Sequence, residues 1–122
     1  MNKVVTKSNI NDIAEYIHNI ARSKGWYVEQ YKFGEFISLV HSELSEALEI
    51  YRDHHEYNEI FYSNNPETPN IQKPEGIPIE LADTIIRILD FCFAYKIDIV
   101  EAILTKSEYN MTRPYLHGGK LL

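Results

Sequence analysis

Apolar residues recur along most of this chain at the three- and four-residue steps of an α-helix, and the breaks in that rhythm separate four helical stretches. The first spans about Asn9 to Ser23, with Ile10, Ile13, Ala14, Ile17, Ile20 and Ala21 on one face, Ser8 as expected N-cap and Gly25 as its end. The second spans about Lys32 to Asp53 and aligns Phe33, Phe36, Ile37, Val40, Leu44, Ala47, Leu48 and Tyr51. From His54 to Ile77 the rhythm is lost among Asn64, Asn65, Pro66, Pro69, Asn70, Pro74 and Gly76. Residues 54–77 are therefore expected to be a loop insertion, with Tyr57 to Tyr62 compatible with one helical turn. The third helix is expected from Pro78, at its first position, to Tyr95. The fourth starts at Asp98 as N-cap with Glu101 three residues on, has a face of Val100, Ile103 and Leu104, and stops at Pro114. No internal repeat or alternating strand pattern stands out. The expected fold is all-α, an antiparallel bundle of four to five helices in a single domain over 1–122.

The polar positions are more informative than the apolar ones. In the third helix Glu80, Asp83, Thr84, Arg87 and Asp90 fall within roughly 120° of the wheel, while apolar residues cover the rest. Such a helix is expected to be enclosed by others, which puts its charges inside or in a cleft. In the second helix Glu43 and Glu46 repeat the i, i+3 spacing of Glu80 and Asp83, so each pair shares a face. Glu43 borders the apolar side, and Leu39 and Ile50 flank the acids as a second apolar surface.

If the two helices are antiparallel neighbours, four carboxylates converge. Each like pair at about 4 Å repels by roughly 1 kcal/mol in water and roughly 4 kcal/mol at an effective dielectric near 20. Such a cluster must hold protons or bind cations. All-oxygen ligation selects a hard cation, Mg²⁺ or alternatively Mn²⁺, and the lack of Cys and His at ligand spacing argues against zinc. A carboxylate Mg²⁺ site ordinarily leaves room for waters and substrate phosphates.

Composition limits the alternatives. The 122 residues are 44% hydrophobic and 25% charged, ordinary for a soluble globular domain. No apolar run reaches the roughly 18 residues needed to span a bilayer, and the amino terminus does not read as a signal peptide, so no membrane partner is expected. The single Cys92 suits a reducing compartment, and a cytoplasmic protein is expected. A net charge of −6 argues against a nucleic-acid polymer as partner. The charge is uneven: from Lys106 to Leu122 three basic residues face one acid, while the remainder carries nine against seventeen, a basic tail that suits a small anionic ligand.

Other residues have plainer readings. Glu15 and His18 form one Glu-x-x-His step, but di-iron bundles use two on separate helices, so this one is read as a solvated face. Trp26, Tyr27, Tyr31 and Phe33 either pack the core or stack on a flat ligand. His41 is read as packed or partly exposed, and His54 and His55 as solvent-facing.

The segments HSELSEALE, IPIELADTIIRILD and KSEYNMTRPYLHGGK together resemble the MazG-like nucleotide pyrophosphohydrolases of the all-α NTP pyrophosphatase superfamily, from about Trp26 to Lys120. The family's Glu-x-x-Glu and Glu-x-x-Asp halves match Glu43, Glu46, Glu80 and Asp83. The resemblance implies Mg²⁺-dependent hydrolysis of a nucleoside triphosphate between the α and β phosphates, giving a monophosphate and pyrophosphate. It implies a homodimer or dimer of dimers with the site near the subunit contact. All four carboxylates would hold metal, Glu43 or Glu46 would orient the attacking water, and Lys106, Asn110, Arg113 and Lys120, with Trp26, would bind substrate. Arg87 is expected to balance the acids, and Asp90 to support them or pair with Arg87. Two departures stand out: 33 residues separate Glu46 from Glu80, more than the family's usual spacing, and Ser42 stands where some relatives carry a further Glu. Rival readings keep the reaction with a different substrate, dUTP, dUDP or phosphoribosyl-ATP, or make the chain a non-catalytic helical module that binds nucleotide or protein.

Overall fold

The computed structural model describes residues 9–26 and 32–115. It is mostly helical, with α1 (Ile10–Ser23), α2 (Phe33–Arg52), α3 (Ile77–Ala94) and α4 (Ile99–Thr112), plus a short hairpin of β1 (Phe61–Asn64) and β2 (Gln72–Glu75). Asn9, rather than Ser8, caps α1, its side chain accepting a hydrogen bond from the Asp12 amide at 3.0 Å. Ser8 itself lies outside the described residues. Asp98 caps α4 in the same way, accepting from the Glu101 amide at 3.1 Å. Pro78 sits in the first turn of α3, where its missing N–H costs nothing.

The body is α3 packed between α1 and α2. Phe36 from α2 stacks on Phe91 from α3 at 4.1 Å between ring centroids, and Phe33 and Tyr95 pack on the same Phe91 ring. Ala14, Ala47, Ile77, Leu89 and Cys92 complete the buried core. The expectation that α3 is enclosed is met only on part of its circumference: Leu81, Ile85 and Ile86 are 45%, 56% and 41% exposed. One chain supplies too few neighbours to cover a helix that is apolar nearly all round. Helix α4 packs against α1 and buries none of its residues.

The connection is not a structureless loop, as its Pro and Asn content suggested. It contains an antiparallel ribbon with Phe61 opposite Glu75 and Ser63 opposite Lys73. Phe61 and Ser63 are half-buried while Tyr62 and Asn64 are exposed, the period-2 pattern of a strand with one face against the body. Pro74 is tolerated because a two-stranded ribbon consists of edges. His55 is not solvent-facing either: it stacks on Phe61 at 4.4 Å and bonds Glu59 at 3.1 Å, tying the ribbon to the end of α2. No helix among the described residues is long and apolar enough to cross a membrane.

Candidate metal centre

Helices α2 and α3 place Glu43, Glu46 and Glu80 so that one carboxylate oxygen from each lies within 4.8 Å of the others. Glu43 is buried, Glu80 half-buried and Glu46 exposed, so the group opens outward on the Glu46 side. Asp83, one turn along α3, lies outside this tight set, yet Glu43 and Glu46 both act on it electrostatically. The four acids therefore form a trio with a neighbour rather than a symmetric square.

The trio manages its charge in two ways. Arg87 spans from α3 to α2, its Nε and Nη2 both 3.0 Å from Glu43 Oε1. Glu80 holds a proton instead: burial, then hydrogen bonding to Glu46 and Glu43, then their negative charge push its pKa up to about 8. Burial opposes ionisation of Glu43, but the hydrogen bond from Glu80 and the pairing with Arg87 outweigh it and leave its pKa below the ordinary value. Asp83 is raised by burial first and by the Glu43 charge second, with Arg87 and Lys73 pulling the other way. Glu80 Oε2 is buried with no hydrogen-bond partner among the described residues. A buried acceptor without a donor is costly, and a cation among the three carboxylates would satisfy it. The all-oxygen donor set fits a hard divalent ion.

Comparison with protein-family models, with curated proteins and with solved structures gave no match. What the site can do is therefore argued from its own residues. Beside the trio, a cavity of about 410 Å³ is lined by the charged Glu43, Asp83, Arg87, Asp90 and Lys24 together with Ile17, Ile20, Ile86 and Trp26. Trp26 is half-exposed there, with the Arg87 guanidinium 5.9 Å from its ring centroid. An apolar slot with an aromatic wall and a charged end has the form of a small-molecule site.

The basic tail falls within the described residues as far as Tyr115. Lys106, Asn110 and Arg113 are exposed, and Lys106 Nζ lies 4.8 Å over the Tyr109 ring. Among the described residues, the cations that bear on Glu43, Glu80 and Asp83 are Arg87 and Lys73, neither on α4. Lys120 lies outside the described residues, as do Tyr27 and Tyr31.

Two features escaped the sequence reading. Asp90 meets His18 Nδ1 at 2.8 Å, and His18, far from being on a solvated face, is buried against Phe93. The partners lie 72 positions apart, and the only signal was a His one turn from Ala14 on the apolar side of α1. Lys73 carries no signal of its own, because its Pro- and Asn-rich segment predicts a loop; the alternation of Phe61, Tyr62, Ser63 and Asn64 is the clue to the strand beside it.

Proposed function

We propose that the chain is a Mg²⁺-dependent nucleoside triphosphate pyrophosphohydrolase, cleaving between the α and β phosphates to give a nucleoside monophosphate and pyrophosphate. The observation that carries this reading is the convergence of Glu43, Glu46 and Glu80 around a buried, unpartnered Glu80 oxygen, beside a cavity whose lining includes Trp26. The likeness of HSELSEALE and IPIELADTIIRILD to the MazG-like motifs points the same way. Mg²⁺, or Mn²⁺ in its place, would be held by Glu43, Glu46 and Glu80 with Asp83 alongside, and would neutralise phosphoryl charge and promote attack by water.

The chain's own groups then divide the work. Glu46, exposed and hydrogen-bonded to Glu80, can orient a water for in-line attack on the α phosphorus; Glu43 is tied to Arg87. Arg87 keeps Glu43 ionised and in place. The base of the nucleotide fits the apolar slot, stacked on Trp26. Because Lys106, Asn110 and Arg113 stand away from the trio, their role in substrate binding requires a second copy of the chain, and a homodimer or dimer of dimers is part of the proposal. The exposed rows Leu44, Leu48 and Tyr51 on α2 and Leu81 and Ile85 on α3 suit such an interface.

The test is a panel of nucleoside triphosphates assayed for released pyrophosphate with and without Mg²⁺. Release that needs the metal and disappears in Glu46→Gln supports the reading; no release from any nucleotide refutes it.

A further inference from the structure

The ribbon brings to this site a cation that the sequence reading did not consider. In an antiparallel pair, directly opposed residues point to the same face, and so do residues two apart on a strand. Phe61 and Ser63 are the half-buried residues of β1, so the face they share is turned toward the body. Lys73 is opposite Ser63, and Glu75, half-buried, is opposite Phe61. The register therefore puts Lys73 on the face it shares with Ser63, where its side chain stays exposed to solvent.

Its position along the molecule is fixed as well. Only Gly76 separates β2 from α3, and β2 packs on α3. Gly76, at φ 130°, lies so close to the Glu59 carbonyl that an added Cβ would clash with that oxygen. The ribbon thus cannot swing freely about the start of α3, whose first turn carries Glu80 and whose second carries Asp83. The charge of Lys73 is felt at Asp83, together with that of Arg87.

We infer that Lys73 is a phosphate-binding residue of this site, its ammonium meeting the pyrophosphate portion of a metal-bound nucleotide at the Asp83 edge of the acid trio. This rests on the function proposed above. Lysine acts on phosphate as a mobile point charge, and the exposed side chain of Lys73 on a ribbon edge leaves its head free to meet an incoming anion. Inorganic pyrophosphate, the product, carries the same group and is the direct probe.

The experiment titrates pyrophosphate in the presence of Mg²⁺ into the wild-type chain, Lys73→Met and Lys73→Arg, and titrates Mg²⁺ alone into the same three proteins. Lys73→Met is expected to weaken pyrophosphate binding by about tenfold or more, with Lys73→Arg staying within about threefold of wild type, since a charge-assisted hydrogen bond is lost in one and kept in the other. Mg²⁺ alone should bind Lys73→Met at least as well as wild type. If Lys73 merely offsets Asp83, Lys73→Met will bind Mg²⁺ more tightly and pyrophosphate unchanged, and the inference is overturned; it is equally overturned if the wild type binds no pyrophosphate with Mg²⁺. Wild-type turnover of the nucleotide panel separates the two levels. Turnover with unchanged pyrophosphate binding in Lys73→Met removes Lys73 and leaves the activity standing; absence of turnover removes the activity, while the pyrophosphate titrations still decide what Lys73 does.

Discussion

Glu80 stands near pH 8 because burial removes its water and because Glu46 and Glu43 stand beside it as acceptors and as charges. A carboxyl whose folded pKa lies above its unfolded value of 4.5 contributes stability that is complete below that value and is lost as pH rises through about 8. The metal-free protein is therefore expected to melt at progressively lower temperature from pH 5 to pH 9, and Glu80→Gln, which cannot ionise, should flatten that slope. Glu43 works in the opposite window: its lowered pKa gives stability that is present above 4.5 and fades as pH falls. Binding a cation must expel the Glu80 proton, so Mg²⁺ affinity should climb across the same interval as stability falls. Calorimetric titrations in buffers of different ionisation enthalpy count the released proton; none released at pH 7 would contradict this account. Arg87 gives a second test. Removing it in Arg87→Met strands the Glu43 charge among other acids, at a cost of about 2 kcal/mol given the partial exposure of both partners. Mg²⁺ should recover most of that loss, because the ion takes over the charge that the guanidinium balanced, and the measurement is the thermal midpoint of the variant with and without metal.

At the level of elements, the helices were legible because each is long enough for its apolar period to repeat, and because Asp98 and Pro78 are residues whose chemistry favours helix starts. The acid pairs were legible for the same reason: an i, i+3 spacing fixes a shared face wherever the helix goes. The ribbon was not. Each strand is four residues, too short for alternation to stand out, and Pro74 argued against a strand that only an edge position permits. Nor could the sequence tell that His18 finds Asp90, since that pairing depends on how α1 lies across α3. Gly76 tests the rigidity of the ribbon's base. Gly76→Ala faces both a left-handed φ and a clash with the Glu59 carbonyl, and is expected to cost about 2 to 3 kcal/mol in chemical denaturation. If Gly76→Ala is as stable as the wild type, the ribbon is not held at that point.

Among the described residues a large apolar area stays exposed. Leu48 and Ile85 are 53% and 56% exposed on the two helices that carry the acids, and α4 presents Ile103, Leu104 and Tyr109 without burying one residue. An isolated 14-residue helix is marginal in water, so α4, with few neighbours in its own chain, depends on further packing to persist. Covering a Leu or Ile side chain is worth about 1.5 to 3 kcal/mol, and several such residues in one interface are enough to hold two copies together. Light scattering after size exclusion should accordingly give a mass at least twice the 14.3 kDa of one chain. Ile85→Asp puts a charge into that surface without touching Glu43, Glu46 or Glu80, and it should shift the protein toward monomer. Because Lys106 and Arg113 do not reach the trio of their own chain, the monomer should keep Mg²⁺ binding while losing about tenfold or more in affinity for the nucleotide, the loss expected when charge-assisted contacts to phosphate are removed. A monomeric wild-type chain with full turnover would mean that the basic residues of α4 serve something other than the substrate, and would leave Arg87, Lys73 and the cavity-lining Lys24 as the cations among the described residues available to the phosphates.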